Sequence, residues 1–184
     1  NVELPSNILK TVLRKAASNT FNAITVDSDK STNDMVSIFA TNQIKIGQNR
    51  GASDPVIQKF EIALKNLCLN LAKQIVVDGE GAKKFVTVKV INSKSLTKAK
   101  KIAFSIAESP LVKTAIAGQD PNWGRVIMGI GKSGEQVDQE KLKEYMQWDS
   151  IEIEINLKLG NDAFKCYTCD FTHDYIDINA NYRN

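Results

Sequence analysis

Ile151, Ile153, Ile155, Leu157 and Leu159 alternate strictly with Glu152, Glu154, Asn156 and Lys158. A period of two puts the aliphatic side chains on one side of an extended chain and the polar ones on the other. Such a strand needs one dry face and one wet face, so it demands a sheet covered on one side only. Candidates for neighbouring strands are not far away. Phe85–Ile91 is dense in β-branched residues, which favour pleated, half-buried positions. Residues 163–172 and 175–178 read as continuations of the same sheet, Val126–Ile130 as a further strand, and Phe21–Val26 as a short one.

Helical signals dominate the first half. Ser6 caps a predicted helix running to Ser18, with Ile8, Leu9, Val12, Leu13, Ala16 and Ala17 on one stripe. Met35–Ala40 reads as a short helix. Asn42–Ser53 reads as an exposed connection. Asp54 followed by Pro55 is a cap with a first-turn proline, opening a long helix to about Val76. Its expected buried face is Val56, Ile57, Phe60, Ala63, Leu64, Leu67, Leu71 and Ile75. Asp78-Gly79-Glu80-Gly81 ends it. Ser95–Ala107 is helical, with Lys94, Lys98 and Lys101 on a solvated face, and Asp138–Gln147 is a further short helix. Helices first and antiparallel strands last predict an α+β fold rather than a doubly wound one.

The 184 residues suffice for one large domain or two small ones sharing a core. A net charge of +3 is weak for a nucleic-acid or membrane-surface partner, and neither is expected. No apolar run approaches the roughly 20 residues of a membrane span, and no secretory signal pattern is read. Three cysteines, an odd number, argue against a disulfide framework and fit a reducing cytoplasm or an organelle matrix. The opening Asn1-Val2-Glu3-Leu4-Pro5 reads as a chain already under way.

Several apparent motifs fail on their chemistry. Gly129-Ile130-Gly131-Lys132-Ser133-Gly134 has the spacing of a dinucleotide loop, but the helix that should open inside it starts later and is mostly polar. A Gly-rich turn is the better reading. Cys166 and Cys169 form a CxxC, yet in a strand residues three apart face opposite sides and cannot chelate one zinc ion. His173 is the sole histidine, and no nucleophile elbow accompanies it, so it reads as a surface residue.

Three polar stretches interrupt otherwise tidy apolar patterns. Ser31-Thr32-Asn33-Asp34 offers more hydrogen-bonding groups than a helix cap requires. Asp78-Gly79-Glu80-Gly81-Ala82 lets the backbone turn tightly around a carboxylate, which could face a ligand ammonium group or only solvent. Asp120-Pro121-Asn122-Trp123-Gly124-Arg125 is costlier than a turn needs. It reads either as a tight turn, with Trp123 as a lid on the core and an Asp120–Arg125 pair at its rim, or as a rigid joint with Trp123 packed and with Asp120 and Arg125 bracing a site wall.

These stretches, with Ile24-Thr25-Val26-Asp27, Ser109–Ala115, Gly131–Gly134, Cys169-Asp170-Phe171-Thr172 and Asn179-Ala180-Asn181-Tyr182-Arg183, resemble one family in order and spacing. It is the ornithine acetyltransferases, or bifunctional glutamate N-acetyltransferases, and the chain is similar to their β chain, the C-terminal product of self-cleavage. The resemblance implies a layered α/β sandwich completed by the α chain, with residues 1–84 in the composite catalytic part and 85–184 as an antiparallel-sheet C-terminal subdomain. It implies a Thr nucleophile at the new N-terminus, activated by its own α-amine. The acetyl group would pass from N2-acetylornithine to that Thr and then to glutamate in a ping-pong cycle. The nucleophile would lie upstream of Asn1, with the oxyanion donors in the α chain, so this chain alone is expected to be inactive. Ala40-Thr41 is not the cut site, because the family's cut precedes the Ser-Thr-Asn-Asp motif.

The resemblance further implies that Glu80, Asn179 and Asn184 bind substrate. Asn184 stands where the family usually has Thr or Ser, and His173 where an aromatic residue is common. No metal or cofactor is implied; acetyl-CoA enters only as an alternative acetyl donor that the residues leave open. The implied partner is the α chain of the same precursor, in an (αβ)2 assembly. A self-processing aminopeptidase or amidohydrolase of related architecture is the alternative reading, and a non-catalytic scaffold a third.

Overall fold

The computed structural model describes residues 2–46, 51, 53–135 and 149–181. The expected helix Asp138–Gln147 and the residue Asn184 lie outside them. The chain divides into two compact units. The first comprises residues 1–22 and 30–72, the second residues 23–29 and 73–184.

In the first unit α1 spans Ser6–Ser18. Pro5 rather than Ser6 precedes its first turn, without a side-chain cap. Val12 and Ala16 are its buried residues, and Leu4, Val12 and Ile57 form a small core with Ile8, Leu9, Phe60 and Leu64 around it. A parallel bridge joins Val2 to Ile44. The expected helix at Met35–Ala40 does not form. A helix that short has too few hydrogen bonds to offset its nucleation unless packing holds it, and Met35 and Phe39 stay exposed. The Ser31 hydroxyl accepts from the Asn33 and Asp34 N–H groups, making a turn instead of a cap.

Helix α2 spans Pro55–Val77, and Asp54 Oδ1 accepts from Val56 N at 2.8 Å, as a cap should. Its buried line is Ile57, Cys68, Ala72 and Val76, with Phe60 and Leu64 half-buried. Leu67, Leu71 and Ile75, expected inside, are exposed together with Ile62 and Val77. The helix is apolar nearly all round, so periodicity alone leaves its inward face open.

The second unit is built on a three-stranded sheet of order β2-β1-β3, with β1 at Phe85–Ser93, β2 at Ser150–Asn156 and β3 at Asp162–Cys169. β1 pairs antiparallel with β3, Val88 opposite Cys166. It pairs parallel with β2, Val88 opposite Ile153. The α+β class holds, but the sheet is mixed rather than antiparallel. Parallel neighbours need a long crossover, and here it contains α3 (Leu96–Ala107), α4 (Pro110–Ala117) and α5 (Trp123–Lys132).

The alternating pattern of β2 behaves as its sequence requires: Ile151, Ile153, Ile155 and Leu157 are buried. They join Val86, Val88, Val90, Phe164 and Cys166 in one core with Ile102 and Ile106 of α3. Burial pushes the Cys166 thiol up to about 12. The opposite face carries the Phe85–Tyr167 stack, with Lys73 Nζ 5.0 Å from the Tyr167 ring centre.

Three expected strands are absent. Phe21–Ala23 is a 3-10 turn, and only an isolated bridge from Ile24 to Tyr167 follows it. Val126–Ile130 lies in α5 because Asn122 caps a helix there, its Oδ1 accepting from Arg125 N. Residues 175–178 lie in α6, His173–Ala180. The glycine-rich stretch 129–134 thus begins inside α5 rather than in a turn. Gly129 sits against Ile106, where a Cβ would lie 3.4 Å from its Cα. No helix among the described residues is long and apolar enough to cross a membrane.

Candidate functional site

The loop after α2 carries Glu80, and α6 carries Asn179. The structure brings these two expected residues together: Asn179 Nδ2 donates to Glu80 Oε2 at 2.6 Å, across a sequence separation of 99. The same amide nitrogen donates to Tyr175 O at 2.9 Å. Both side chains are exposed, so the pair sits at an accessible surface.

Backbone geometry dictates this meeting. Gly81 has φ +68°, a left-handed conformation that glycine adopts without steric cost. A Cβ there would collide with the Tyr175 backbone nitrogen and lie 2.8 Å from the Asp174 carbonyl carbon. The glycine therefore lets the Glu80 loop touch the first turn of α6. Thr172 Oγ1 donates to Gly81 O at 2.6 Å rather than capping its own helix. Asp170, buried, uses Oδ1 to accept from both Lys83 N and Lys84 N at 2.9 Å. Lys83 and Asp174 add an ion pair at 2.8 Å.

The surroundings are acidic. Tyr175 Oη donates to Asp27 Oδ2 at 3.2 Å. Burial raises the Tyr175 hydroxyl above its ordinary range, and the Asp27, Glu80 and Asp29 carboxylates push it the same way. A carboxylate and an amide oxygen amid other carboxylates suit a ligand ammonium group. Among the described residues no group of His, Cys, Asp and Glu side chains is placed to hold a metal ion.

Other singled-out residues fall elsewhere. Cys166 lies in the core and Cys169 at the end of β3, both buried and free. His173 is exposed at the start of α6. Lys98 and Lys101 pair with Glu135, at 2.8 and 3.7 Å. In the 120–125 stretch, Arg125 Nη1 donates to Leu111 O at 2.9 Å and Thr114 Oγ1 at 3.2 Å, while Asp120 Oδ2 accepts from Asn122 Nδ2 at 3.1 Å. Trp123 packs partly buried on the core. That stretch is a joint between α4 and α5.

Tyr175, Asp27, Asp170 and Lys113 are parts of this neighbourhood to which sequence reasoning gave no role. Tyr175 was hidden by the strand reading of 175–178. Lys113 carried a visible signal, being the only charged residue in the apolar run Leu111–Ala117.

Comparison with known proteins is consistent along the whole chain. A sequence profile of the ArgJ family matches residues 1–143 and 134–184. The arginine biosynthesis bifunctional protein ArgJ of Gluconobacter oxydans (strain 621H) is 42% identical over 208 aligned residues, covering 100% of this chain and 49% of that protein. The ArgJ of Brucella melitensis biotype 1 is 40% identical, covering 98% of this chain and 50% of that protein. The chain thus spans about half the length of the curated relatives it matches. The crystal structure of Bacillus halodurans ArgJ superposes with a TM-score of 0.87 at 36% identity, covering 98% of this chain and 96% of that one. Agreement of sequence and fold over this whole length places the chain in the ArgJ family.

Proposed function

We propose that this chain is the β subunit of an acetyltransferase of arginine biosynthesis, which moves the acetyl group from N2-acetylornithine to glutamate. The observation that carries the reading is the Asn179–Glu80 hydrogen bond in acidic surroundings. Glu80 would hold the ammonium group of ornithine or glutamate. Asn179 would orient that carboxylate and offer its Oδ1, left open once both N–H groups are engaged, to the ligand, and Asn184 would add a third contact.

In this reading the relatives' remaining length corresponds to an α chain from the same precursor, joined to this one in an (αβ)2 assembly in the cytoplasm. The nucleophile is a Thr outside residues 1–184. Its hydroxyl takes the acetyl group as the bond from the acetyl carbon to the ornithine nitrogen breaks and the amine leaves with the hydroxyl's proton. The glutamate amine, once it has lost a proton, then attacks the acetyl ester and frees the Thr hydroxyl. The site needs no metal or resident cofactor, and acetyl-CoA would be an alternative acetyl donor.

The full-length gene product, assayed with N2-acetylornithine, should form N-acetylglutamate only when glutamate is present. Glu80→Gln should raise KM for N2-acetylornithine by about tenfold or more, as expected on removing a charged ligand contact. Release of acetate at the same rate without glutamate would mean an amidohydrolase and sink the proposal.

A further inference from the structure

Among the described residues Lys113 is the largest fully buried side chain. Taking an ammonium group out of water is costly, and an apolar residue would fill the space more cheaply. Burial lowers its basicity, opposed by the neighbouring Cys169, Asp170 and Asp27. What the amine touches suggests why it is there. Lys113 Nζ donates to Thr168 Oγ1 at 2.9 Å and to the Cys169 carbonyl, and lies 3.7 Å from Cys169 Sγ. It also sits 4.6 Å from the Phe171 ring centre. The Lys113 backbone carbonyl accepts from Phe171 N at 3.3 Å. All of these partners lie in Thr168–Phe171, the last two residues of β3 and the first two of its connector to α6.

That connector grips both halves of the candidate site. Asp170 holds the Lys83 and Lys84 amides at the base of the Glu80 loop. The Phe171 ring stacks on Tyr175 at 4.6 Å between centroids, and the Tyr175 carbonyl accepts from the Asn179 amide that holds Glu80. A path of direct contacts therefore runs from a buried amine to an exposed carboxylate.

We infer that Lys113 is a positioning residue for substrate binding: by clamping Thr168–Phe171 it fixes the spacing of Glu80 and Asn179. The inference rests on the reading of that pair as the substrate-ammonium site. Lys113 touches no substrate. It acts through the connector, and its effect appears in affinity before it appears in the acetyl-transfer step.

Steady-state kinetics on the assembled full-length product test this, using Lys113→Met, Glu80→Gln and the double variant with N2-acetylornithine. Lys113→Met should raise KM about tenfold with a smaller change in kcat. The double variant should be no worse than Glu80→Gln alone to within about twofold, because one residue acts through the other. A lower Tm with wild-type KM would overturn the inference, and so would fold-changes that multiply in the double variant. If Lys113→Met does not fold, Phe171→Leu keeps the amine bonds and cuts the link to Tyr175. A raised KM then supports the inference and a wild-type KM overturns it. A wild-type KM in Glu80→Gln would instead remove the site reading, and the inference with it. A raised KM there beside a wild-type KM in Lys113→Met overturns the inference alone.

Discussion

Gly81 shows how much of the site depends on single atoms. Its left-handed φ of +68° and the Tyr175 nitrogen beside it leave no room for a Cβ. Gly81→Ala should cost about 1–3 kcal/mol from strain at that position and raise KM for the amine substrate, read by urea unfolding and by kinetics. Titration offers a second residue-scale test. The Cys166 thiol has an ordinary value of 9.0 and is pushed to about 12 in the fold. Between those values the unfolded chain has lost the proton and the native one keeps it, so stability falls as pH rises through the window. Lys113 works the other way. Its native value lies below 10.5, so between that value and 10.5 the unfolded chain binds more protons and stability rises with pH. Comparing urea midpoints at pH 8 and pH 10.5, the wild type should lose more stability than Cys166→Ala, which lacks the falling term. At the residue scale Glu80 and Asn179 were visible in the sequence through their motifs. Tyr175, Asp170 and Lys113 acquire roles only through contacts between distant segments.

At the scale of elements the local patterns are reliable where one period dominates and a cap marks the end. α1, α2, β1, α3 and β2 follow from their sequences to within a few residues. Ile153 of β2 should cost about 2–5 kcal/mol when cut to Ala, because it is buried between α3 and the strands, whereas Glu152→Ala on the exposed face should be near neutral. The turn between β2 and β3 is equally constrained. A Cβ on Gly160 would collide with the Ser93 carbonyl oxygen, and Leu159 N and Gly160 N both donate to Asn92 O. Gly160→Ala should therefore lower the thermal midpoint by several degrees, since about 1 kcal/mol shifts a domain of this size by roughly 2–4 °C. Val126–Ile130 and residues 175–178 defeat the same reasoning for one reason. Short apolar runs fit either period, and the deciding facts are the Asn122 cap and the seat of α6 on the Gly81 loop, neither carried by the runs themselves.

At the scale of the whole molecule, apolar side chains on both units remain uncovered. Met35 and Phe39 are 83% and 84% exposed, Ile62, Leu67 and Leu71 of α2 are exposed, and so are Leu96 and Ile176 of the second unit. In the proposed αβ assembly these would be covered. The isolated chain should then bind a dye such as ANS strongly and the assembled product weakly, and Phe39→Glu should reduce recovery of the assembly on size-exclusion chromatography. Equal dye binding by both forms would contradict that expectation. The α+β class, the long helix, the amphipathic strand and the family resemblance are properties of the sequence by itself, because each is written in a short period or an ordered set of local motifs. Tertiary structure alone decided which stripe of α2 turns inward, that β2 runs parallel to β1, and that Glu80 meets Asn179. Those outcomes depend on sheet register and on packing between residues far apart in the chain, and no local pattern encodes a distance across the fold.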